Sequence, residues 1–241
     1  AAALLWDCAA RLWAPLQALL TWMAQAPPWT LHHDVGLVGA LLWSVGLALL
    51  ALPRVLPGRW LGAVLLGVAL LPRERPLADG EFRVLQLDVG QGLAVLVRTR
   101  QHALLYDTGP RWFDGGDAGE SVVVPALRAL GVAWLDDVVV SHADLDHAGG
   151  AESLLKLWPV TRVFSSEAVA TLRHTVTTPC IAPTRWHYDG VDFEVLHPHA
   201  DEHNAPRNDS SCVLRVSGPH GRLLLAGDIE LGAEHALLAR Q

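Results

Sequence analysis

Cysteine is scarce in this sequence, and the few cysteines form no pattern that would hold a small domain together. Cys8, Cys180 and Cys212 are the only three in 241 residues, and they are widely spaced and odd in number. No CxxC pair occurs, so neither a disulfide framework nor a cysteine zinc site is expected. Cys212 is therefore expected to pack in the core as a small apolar side chain.

Two other signatures are absent. No basic region precedes the first apolar residues, so a secretory signal peptide is not expected. The chain begins with Ala1 rather than Met and is expected to be a piece of a longer protein. The segments Gly90-Gln91-Gly92 and Gly115-Gly116 are followed by no lysine, so tight turns explain them and a GxxxxGK[ST] phosphate loop is excluded.

Charge divides the chain into two parts. Residues 1–76 contain no lysine, five arginines and three acidic residues, a net charge of +2; the whole chain carries −7, so the remainder carries −9. An acidic domain does not bind nucleic acid through a broad basic surface. If it acts on nucleic acid, a metal ion or a partner domain must bring the phosphates in.

The first part, residues 1–76, is predicted to be membrane-associated. Residues 4–23 are apolar at helical spacing, which fits an interfacial helix or, alternatively, a core helix. Residues 35–52 hold no charge over 18 positions, and residues 55–71 form a second, interrupted apolar run. These two runs predict a transmembrane hairpin, with a buried soluble hairpin as the alternative.

The arginines near this hairpin bear on its orientation. Arg54 and Arg59 lie in the turn between the two apolar runs, so the positive-inside rule places that turn in the cytoplasm, although Arg73 and Arg75 oppose it. The remaining residues, 77–241, would then lie on the outer face. Their short alternating runs and intervening helical stretches predict a layered α/β sandwich.

The densest cluster of metal-ligand residue types lies between a predicted strand, residues 137–140, and a predicted helix, residues 152–157. Within Ser141-His-Ala-Asp-Leu-Asp-His-Ala-Gly-Gly150, the ligand types are His142, Asp144, Asp146 and His147. Imidazoles and carboxylates spaced this closely on a turn can converge on one or two divalent cations.

This motif resembles the HxHxDH signature of the metallo-β-lactamase superfamily, with Asp144 in place of the second histidine. Together with the other short motifs, it resembles the ComEC family, the membrane channels of natural DNA transformation. Those motifs are Leu87–Gly92, Asp107-Thr108-Gly109, Asn208-Asp209-Ser210-Ser211 and Leu224–Asp228. The resemblance implies a metallo-β-lactamase-like αββα sandwich, C-terminally incomplete and preceded by a membrane helical hairpin.

The resemblance also implies roles for individual residues. Metal ligands would be His142, Asp144, Asp146, His147 and Asp228, with Asn208 a weaker candidate. Asp146 and Asp107 would be catalytic, Asp146 by orienting or deprotonating water and Asp107 by supporting the ligands from behind. The site would also be lined by Asp88, Gln91, Asp209 and Ser211. Leu93 replaces an aspartate common in relatives, and the loose histidine run from His197 to His203 is not expected to bind metal.

The resemblance implies a metal-dependent nuclease that degrades one strand of incoming DNA. The cofactor would be one or two divalent ions, Mn²⁺ or Zn²⁺, and the partners would be DNA, the lipid membrane, the rest of the channel and the competence machinery. The location would be the bacterial inner membrane, multi-pass, with the hydrolase domain on the periplasmic face. Alternatives are a lactonase-like or β-lactamase hydrolase and a non-catalytic DNA-gating module. The chain ends at Gln241, before the superfamily's last histidine motif, so the second sheet and one side of the metal site are expected to be incomplete in this piece.

Overall fold

The chain folds as two compact units, Ala1–Arg73 and Glu74–Gln241. The computed structural model describes residues 6, 11, 13, 15–21, 36–53, 58–69, 76–113, 115–166, 169, 172–202 and 208–240.

The first unit contains a pair of packed helices, α1 (Gly36–Ala51) and α2 (Arg59–Ala69). Glycine allows their close approach, since a Cβ on Gly62 would lie 2.6 Å from the carbonyl oxygen of Gly46. The Arg59 guanidinium donates to the Leu50 carbonyl from Nε (3.1 Å) and Nη2 (2.7 Å), which satisfies a free carbonyl near the end of α1.

The structure describes only part of the two apolar runs that were predicted to form a membrane hairpin. α1 falls within the predicted run 35–52 and α2 within 55–71, while residues 35, 54–57 and 70–75 lie outside the described part of the chain. In the described residues, no helix combines the length and the apolar character that crossing a membrane requires. Of the predicted interfacial helix, residues 15–21 are helical, and much of the rest also lies outside the described residues.

The second unit is built on two β-sheets. One has six strands in the order β1-β2-β3-β4-β5-β6, and the other has four in the order β10-β9-β8-β7. The strands of the first sheet are β1 (Arg83–Gln86), β2 (Val95–Arg98), β3 (Ala103–Tyr106), β4 (Leu135–Val140), β5 (Val160–Ser165) and β6 (Thr178–Pro179). Those of the second are β7 (Arg185–Tyr188), β8 (Val191–His197), β9 (Val213–Gly218) and β10 (Gly221–Leu225).

Helices lie on the outer sides of the sheets. A π-helical turn (Gly119–Val123) leads into α3 (Val124–Ala129), and α4 (Leu145–Ala148), α5 (Ala151–Leu157) and α6 (Leu231–Ala239) follow along the chain. Val138 and Val140 of β4 face the core shared with α3 and α5, whereas Val139 faces the core shared with the second sheet. Both faces of β4 are therefore buried, which explains its continuous run of valines. The predicted layered α/β sandwich is confirmed.

Strand direction gathers polar side chains at one edge. β3 pairs with β4 and β4 with β5 in parallel, so their carboxyl ends share an edge of the sheet. Asp107 follows β3, Ser141 and His142 follow β4, and Ser166 follows β5. In open sheets with parallel strands, ligands bind outside these carboxyl ends.

Asp189-Gly190, between two short alternating runs, predicts a hairpin, and the antiparallel pairing of β7 and β8 confirms it. The sequence also predicts a strand over 208–217, but Asn208–Ser210 is a 3₁₀ turn and β9 begins only at Val213. A short helix predicted over 167–175 falls partly outside the described residues.

The expectation that the cysteines form no disulfide is wrong, whereas Cys212 does pack in the core as expected. Cys180 and Cys212, both fully buried, form a disulfide. Cys180 follows β6 of the first sheet and Cys212 precedes β9 of the second, so the bond joins the two sheets covalently. The spacing of 32 residues carried no signal for it, because the sheet pairing alone brings the two positions to a Cα–Cα distance of 5.9 Å.

Candidate metal centre

Two imidazoles form the inner part of the site. His142 is completely buried, His147 is 4% exposed, and their ring centroids lie 4.4 Å apart. Nε2 of His142 has no hydrogen-bond partner in the described structure. An unpaired polar atom at such depth costs free energy, so a native structure needs a reason to keep it.

Asp107 fixes the orientation of both rings. A carboxylate only accepts hydrogen bonds, so Nδ1 of His147 donates to Asp107 Oδ2 over 2.8 Å. The Ser141 hydroxyl donates to the same oxygen at 2.8 Å and accepts from Nδ1 of His142 at 2.9 Å. Each ring therefore carries its proton on Nδ1 and directs the lone pair of Nε2 away from Asp107. This is the arrangement that metal-binding histidines require.

Asp107 itself is buried, and both its backbone and its side chain are constrained. Its backbone lies in the left-handed region, with φ of 59°, and its Oδ1 accepts the Ser141 backbone N–H at 2.7 Å. Asparagine and aspartate tolerate this conformation better than other non-glycine residues. The buried carboxylate cannot touch a substrate, so its position favours the predicted supporting role over direct catalysis.

The rest of the Asp107-Thr108-Gly109 motif attaches the metal-motif helix to the sheet. The backbone N–H and hydroxyl of Thr108 both donate to the His147 carbonyl, at 2.8 and 2.9 Å. The carbonyl of Gly109 accepts the Gly150 N–H at 3.1 Å. These three hydrogen bonds explain why Thr108 and Gly109 belong to the motif. They also explain how α4, only four residues long, is held in position.

Asp228 brings a carboxylate from the second sheet. Its Oδ1 lies 3.3 Å from Nε2 of His147, and its side chain is 46% exposed. The Asp228 N–H donates to the Ser211 hydroxyl at 3.4 Å. Gly227 precedes it with φ of 59°, and a Cβ there would lie 2.9 Å from Ser211 and 3.1 Å from Ser141. The glycine is needed so that the chain can pass between these serines and deliver Asp228.

The motif aspartates stand at the open side of the imidazoles. Asp144 Oδ2 is 3.7 Å from Nε2 of His142, and Asp146 Oδ2 is 3.9 Å from Nε2 of His147. Both carboxylates are partly exposed. Each imidazole thus faces at least one carboxylate across a gap that opens to solvent.

These donors fit a divalent cation. One ligand atom from each of His142, His147 and Asp228 lies within 4.8 Å of the others. Two ligands at ~2.1 Å from one cation lie roughly 3.0–3.4 Å apart, which matches the 3.3 Å between His147 and Asp228. The unpaired Nε2 of His142 supports the same interpretation.

A proton on Nε2 of His147 competes with a cation for the same lone pair. Burial alone would lower the pKa of His147, but the hydrogen bond to Asp107 and its charge outweigh burial, and Asp228 and Asp146 add to them. The pKa is therefore raised above its usual value. A cation at Nε2 must displace this proton, so binding weakens as the pH falls.

The loop after β1 lies against the metal motif through Leu93 and Gly92, while the lining role of Asp88 and Gln91 stays a prediction. Leu93 N–H donates to the Asp146 carbonyl at 3.1 Å, and a Cβ on Gly92 would lie 2.2 Å from that oxygen. Gly92 also has φ of 139°, so no other residue fits the approach. Asp88, on the same loop, caps Gly90 N–H through Oδ1 at 3.3 Å, and Gln91 is exposed.

The Asn208–Ser211 motif holds the loop that carries Asp228. Asp209 accepts the Glu230 N–H at 2.7 Å, and Asn208 Nδ2 donates to Glu230 Oε1 at 3.1 Å. No hydrogen bond in the described residues joins Asn208 to the imidazoles, so its ligand role stays a prediction. His197 donates from Nε2 to the Asp209 carbonyl at 2.6 Å, and its Nδ1 lies 3.2 Å from Glu202 Oε2, so the expectation that it does not bind metal stays a prediction.

Ser141 and Ser166 are the contributors that the sequence did not single out. The Ser141 carbonyl accepts the Ser166 hydroxyl at 2.7 Å and the Cys212 N–H at 2.8 Å. A serine directly before the motif carries no signal of this role by itself. Its position at the end of β4, one residue before His142, was the available clue.

A family model places this site in a known superfamily. The model described as "Metallo-beta-lactamase superfamily" matches residues 87–240, which include every proposed ligand. The match covers more than half of the chain.

Several curated proteins are similar to this chain. Competence protein ComA of Neisseria gonorrhoeae is 36% identical over 223 residues, which are 92% of this chain and 30% of that protein. Recombination protein 2 of Haemophilus influenzae is 36% identical over 65% of this chain and 19% of its own length. ComE operon protein 3 of Bacillus subtilis is 29% identical over 68% of this chain and 24% of its own length.

The chain thus spans less than a third of the length of these relatives. The ComEC-type resemblance is confirmed for the shared region, and the metal-ligand motif lies within the part that the family model matches. The chain belongs to the metallo-beta-lactamase superfamily.

Proposed function

We propose that this chain is the metal-dependent phosphodiesterase part of a membrane DNA-uptake channel, and that it degrades one strand of incoming DNA. The observation that carries the hydrolase assignment is the pair of imidazoles whose Nε2 lone pairs Asp107 and Ser141 direct toward exposed carboxylates. The similarity to competence proteins supports DNA as the substrate.

The residues that would hold the cation are His142, His147, Asp228, Asp144 and Asp146. Three carboxylates beside two imidazoles make a harder ligand set than a histidine-rich zinc site, which favours Mn²⁺ while allowing Zn²⁺. Such an ion lowers the pKa of a bound water and polarises the scissile phosphate. It also supplies positive charge that the acidic unit lacks.

Asp146 is the residue suited to move the proton. Its carboxylate is 41% exposed, stands on the solvent side of His147 and belongs to the first turn of α4. It would accept the proton of the attacking water as that water approaches phosphorus. Asp107 holds the His147 ring in place while this happens and excludes water behind it.

The activity is tested by incubating the full chain with Mn²⁺ or Zn²⁺ and end-labelled single-stranded DNA. We expect cleavage that EDTA abolishes. Asp146→Asn should lower kcat by roughly 10²–10⁴-fold, the usual contribution of a general base. Asp192→Asn is the matched control, because that carboxylate is exposed and lies at the opposite end of β8 from the site.

Other outcomes would replace the proposal. Turnover of a lactone or of nitrocefin, with none of DNA, would identify a hydrolase of another class. Binding of DNA without cleavage would identify a non-catalytic gating module. A wild-type rate in Asp146→Asn would remove Asp146 from the reaction.

We also propose that the hydrolase unit lies on the outer face of the inner membrane. The Cys180–Cys212 disulfide supports this location, because disulfides persist in oxidising compartments and are rare in the cytosol. The apolar helices α1 and α2 in the first unit support attachment to a membrane.

The disulfide provides a prediction of its own. Cells are quenched in acid, and the protein is alkylated with and without reduction. Cys180 and Cys212 should resist alkylation until they are reduced, whereas free thiols at both positions would contradict the outer location. The double variant Cys180→Ala/Cys212→Ala should lose about 2–4 kcal/mol of unfolding free energy, measured by denaturant, with Cys8→Ala as control.

A further inference from the structure

A short loop stands directly beside the metal motif. Residues 111–113 and 115–117 run against each other: Arg111 bridges antiparallel to Asp117, and the Trp112 N–H donates to the Gly116 carbonyl at 2.8 Å. Two aromatic residues, Trp112 and Phe113, lie near the tip.

The base of this loop is fixed. Asp117 is buried and accepts the Ser153 hydroxyl at 2.5 Å and the Glu120 N–H at 3.0 Å. The Ala118 N–H donates to the Pro110 carbonyl at 2.9 Å. The tip is therefore presented from a rigid support.

The tip itself is apolar and open to solvent. Phe113 is fully exposed and Trp112 is 37% exposed. Large aromatic side chains dominate binding energetics, and one that packs against nothing contributes little to folding. Such a ring beside a polar site is a candidate contact for a ligand.

The loop touches the metal motif through its backbone. The Arg111 N–H donates to the Leu145 carbonyl at 3.2 Å, and Leu145 lies between Asp144 and Asp146. Consecutive Cα atoms are ~3.8 Å apart, so the Cα of Phe113 lies at most ~7.6 Å from that of Arg111. Leu145, at the edge of the site, is itself 57% exposed.

We infer that Trp112 and Phe113 form a stacking platform for the bases of single-stranded DNA next to the metal centre. The inference rests on the proposed function and specifies the form of its substrate. Charge favours stacking over phosphate contacts here, because residues 77–241 carry a net −9 and the Arg111 guanidinium lies 3.8 Å from the Glu152 carboxylate, which offsets its charge. Stacking on an aromatic ring needs no positive charge and accepts any base. Bases paired within a duplex cannot stack in this way, so the platform selects single strands.

The test measures binding rather than hydrolysis. Fluorescence anisotropy gives the Kd of the metal-loaded full chain for a phosphorothioate oligothymidine, which resists cleavage, and for an abasic oligomer of equal length. We expect tighter binding of the oligothymidine, by about tenfold for each stacked base. Phe113→Ala should raise the oligothymidine Kd about tenfold and leave the Kd for the abasic oligomer and for duplex DNA unchanged.

Two further variants test whether the change in Kd depends on an aromatic side chain at position 113. Phe113→Trp should retain wild-type affinity, since it keeps an aromatic face. Trp134→Ala is the matched control: Trp134 is 50% exposed but precedes β4, whose length places it on the order of 20 Å from the motif. Phe113 belongs to neither hydrophobic core of the described residues, so its loss should not unfold the chain.

Equal Kd values for the two oligomers in the wild type, or an unchanged oligothymidine Kd in Phe113→Ala, would overturn the platform. If the tip contacts another protein segment instead of DNA, the oligothymidine Kd would be unchanged in Phe113→Ala. Failure of the proposed function looks different. In that case neither DNA nor bis(p-nitrophenyl) phosphate, a diester without a base, would be hydrolysed, while the difference caused by Phe113 would persist.

Discussion

The His147→Ala protein is expected to retain no divalent ion at the site after dialysis, whereas the wild-type chain should hold about one to two per molecule. His147 supplies the lone pair that faces both Asp228 and Asp146, at 3.3 and 3.9 Å. Without it, His142 and Asp144 keep only a remnant of the ligand set, and a cation with too few protein ligands is not retained. His142→Ala should have the same effect from the other side. Elemental analysis of the dialysed proteins gives the stoichiometry directly.

A third histidine variant shows whether the loss of metal is specific to these two positions or follows from the loss of any imidazole. His187 is exposed and pairs with Asp192 at 2.8 Å on the second sheet, distant from the motif. His187→Ala should therefore bind as much metal as the wild type. If His142→Ala and His147→Ala also retained full occupancy, the ligands would have to lie elsewhere in the chain.

Loss of activity should accompany loss of metal and be no larger than EDTA causes. Both variants are expected to cleave single-stranded DNA only at the residual rate that the wild type shows when EDTA has removed its metal. Circular dichroism checks that they remain folded, which is needed because both imidazoles are buried. Activity that survived without the ion would separate the chemistry from this centre.

The metal motif could be predicted because its information is local. His142, Asp144, Asp146 and His147 occupy six consecutive positions, and the valine-rich strand before them places the motif at a strand end. Asp107 and Asp228 are far away in sequence, and only their resemblance to family motifs pointed to them. The parallel pairing of β3 with β4 then explains how Asp107 reaches His147.

What the sequence could not predict depends on register between distant strands. The role of Ser141 arises because β3 and β4 align so that Asp107 meets both its N–H and its hydroxyl. The Cys180–Cys212 bond depends on β6, a strand of two residues with no periodicity to detect. Similarly, the exposure of Phe113 follows from the way that its loop folds back, and composition alone carries no sign of it.

Asp107→Asn is expected to keep the fold and lose metal affinity by about 10–100-fold, the usual effect of removing a group that orients a ligand. Asparagine matches aspartate in size and tolerates the φ of 59° at this position. Its amide group, however, donates where the carboxylate oxygen Oδ2 accepted. The Nδ1 atom of His147 then becomes the acceptor, and the proton moves to Nε2, where the lone pair for the cation had been.

Asp107→Ala should differ from the asparagine variant in stability. It leaves the Ser141 N–H, the Ser141 hydroxyl and Nδ1 of His147 without a buried acceptor. Removing one partner from a buried charged network costs about 3–5 kcal/mol, and alanine at a positive φ adds strain. Denaturant unfolding should therefore show a large loss for alanine and a smaller one for asparagine, while both proteins bind metal weakly.

The shift of the proton can be observed directly. Nitrogen-15 spectra of the histidine side chains distinguish the two neutral tautomers, and His147 in the metal-free wild type should carry its proton on Nδ1 when neutral. In Asp107→Asn that signal should change to the Nε2-protonated form, together with the weaker metal binding in a calorimetric titration. An Asp107→Asn protein with wild-type affinity and an unchanged His147 tautomer would show that Asp107 does not control the ring. The unpaired Nε2 of His142 would then need another explanation, because the same carboxylate, through Ser141, sets that ring as well.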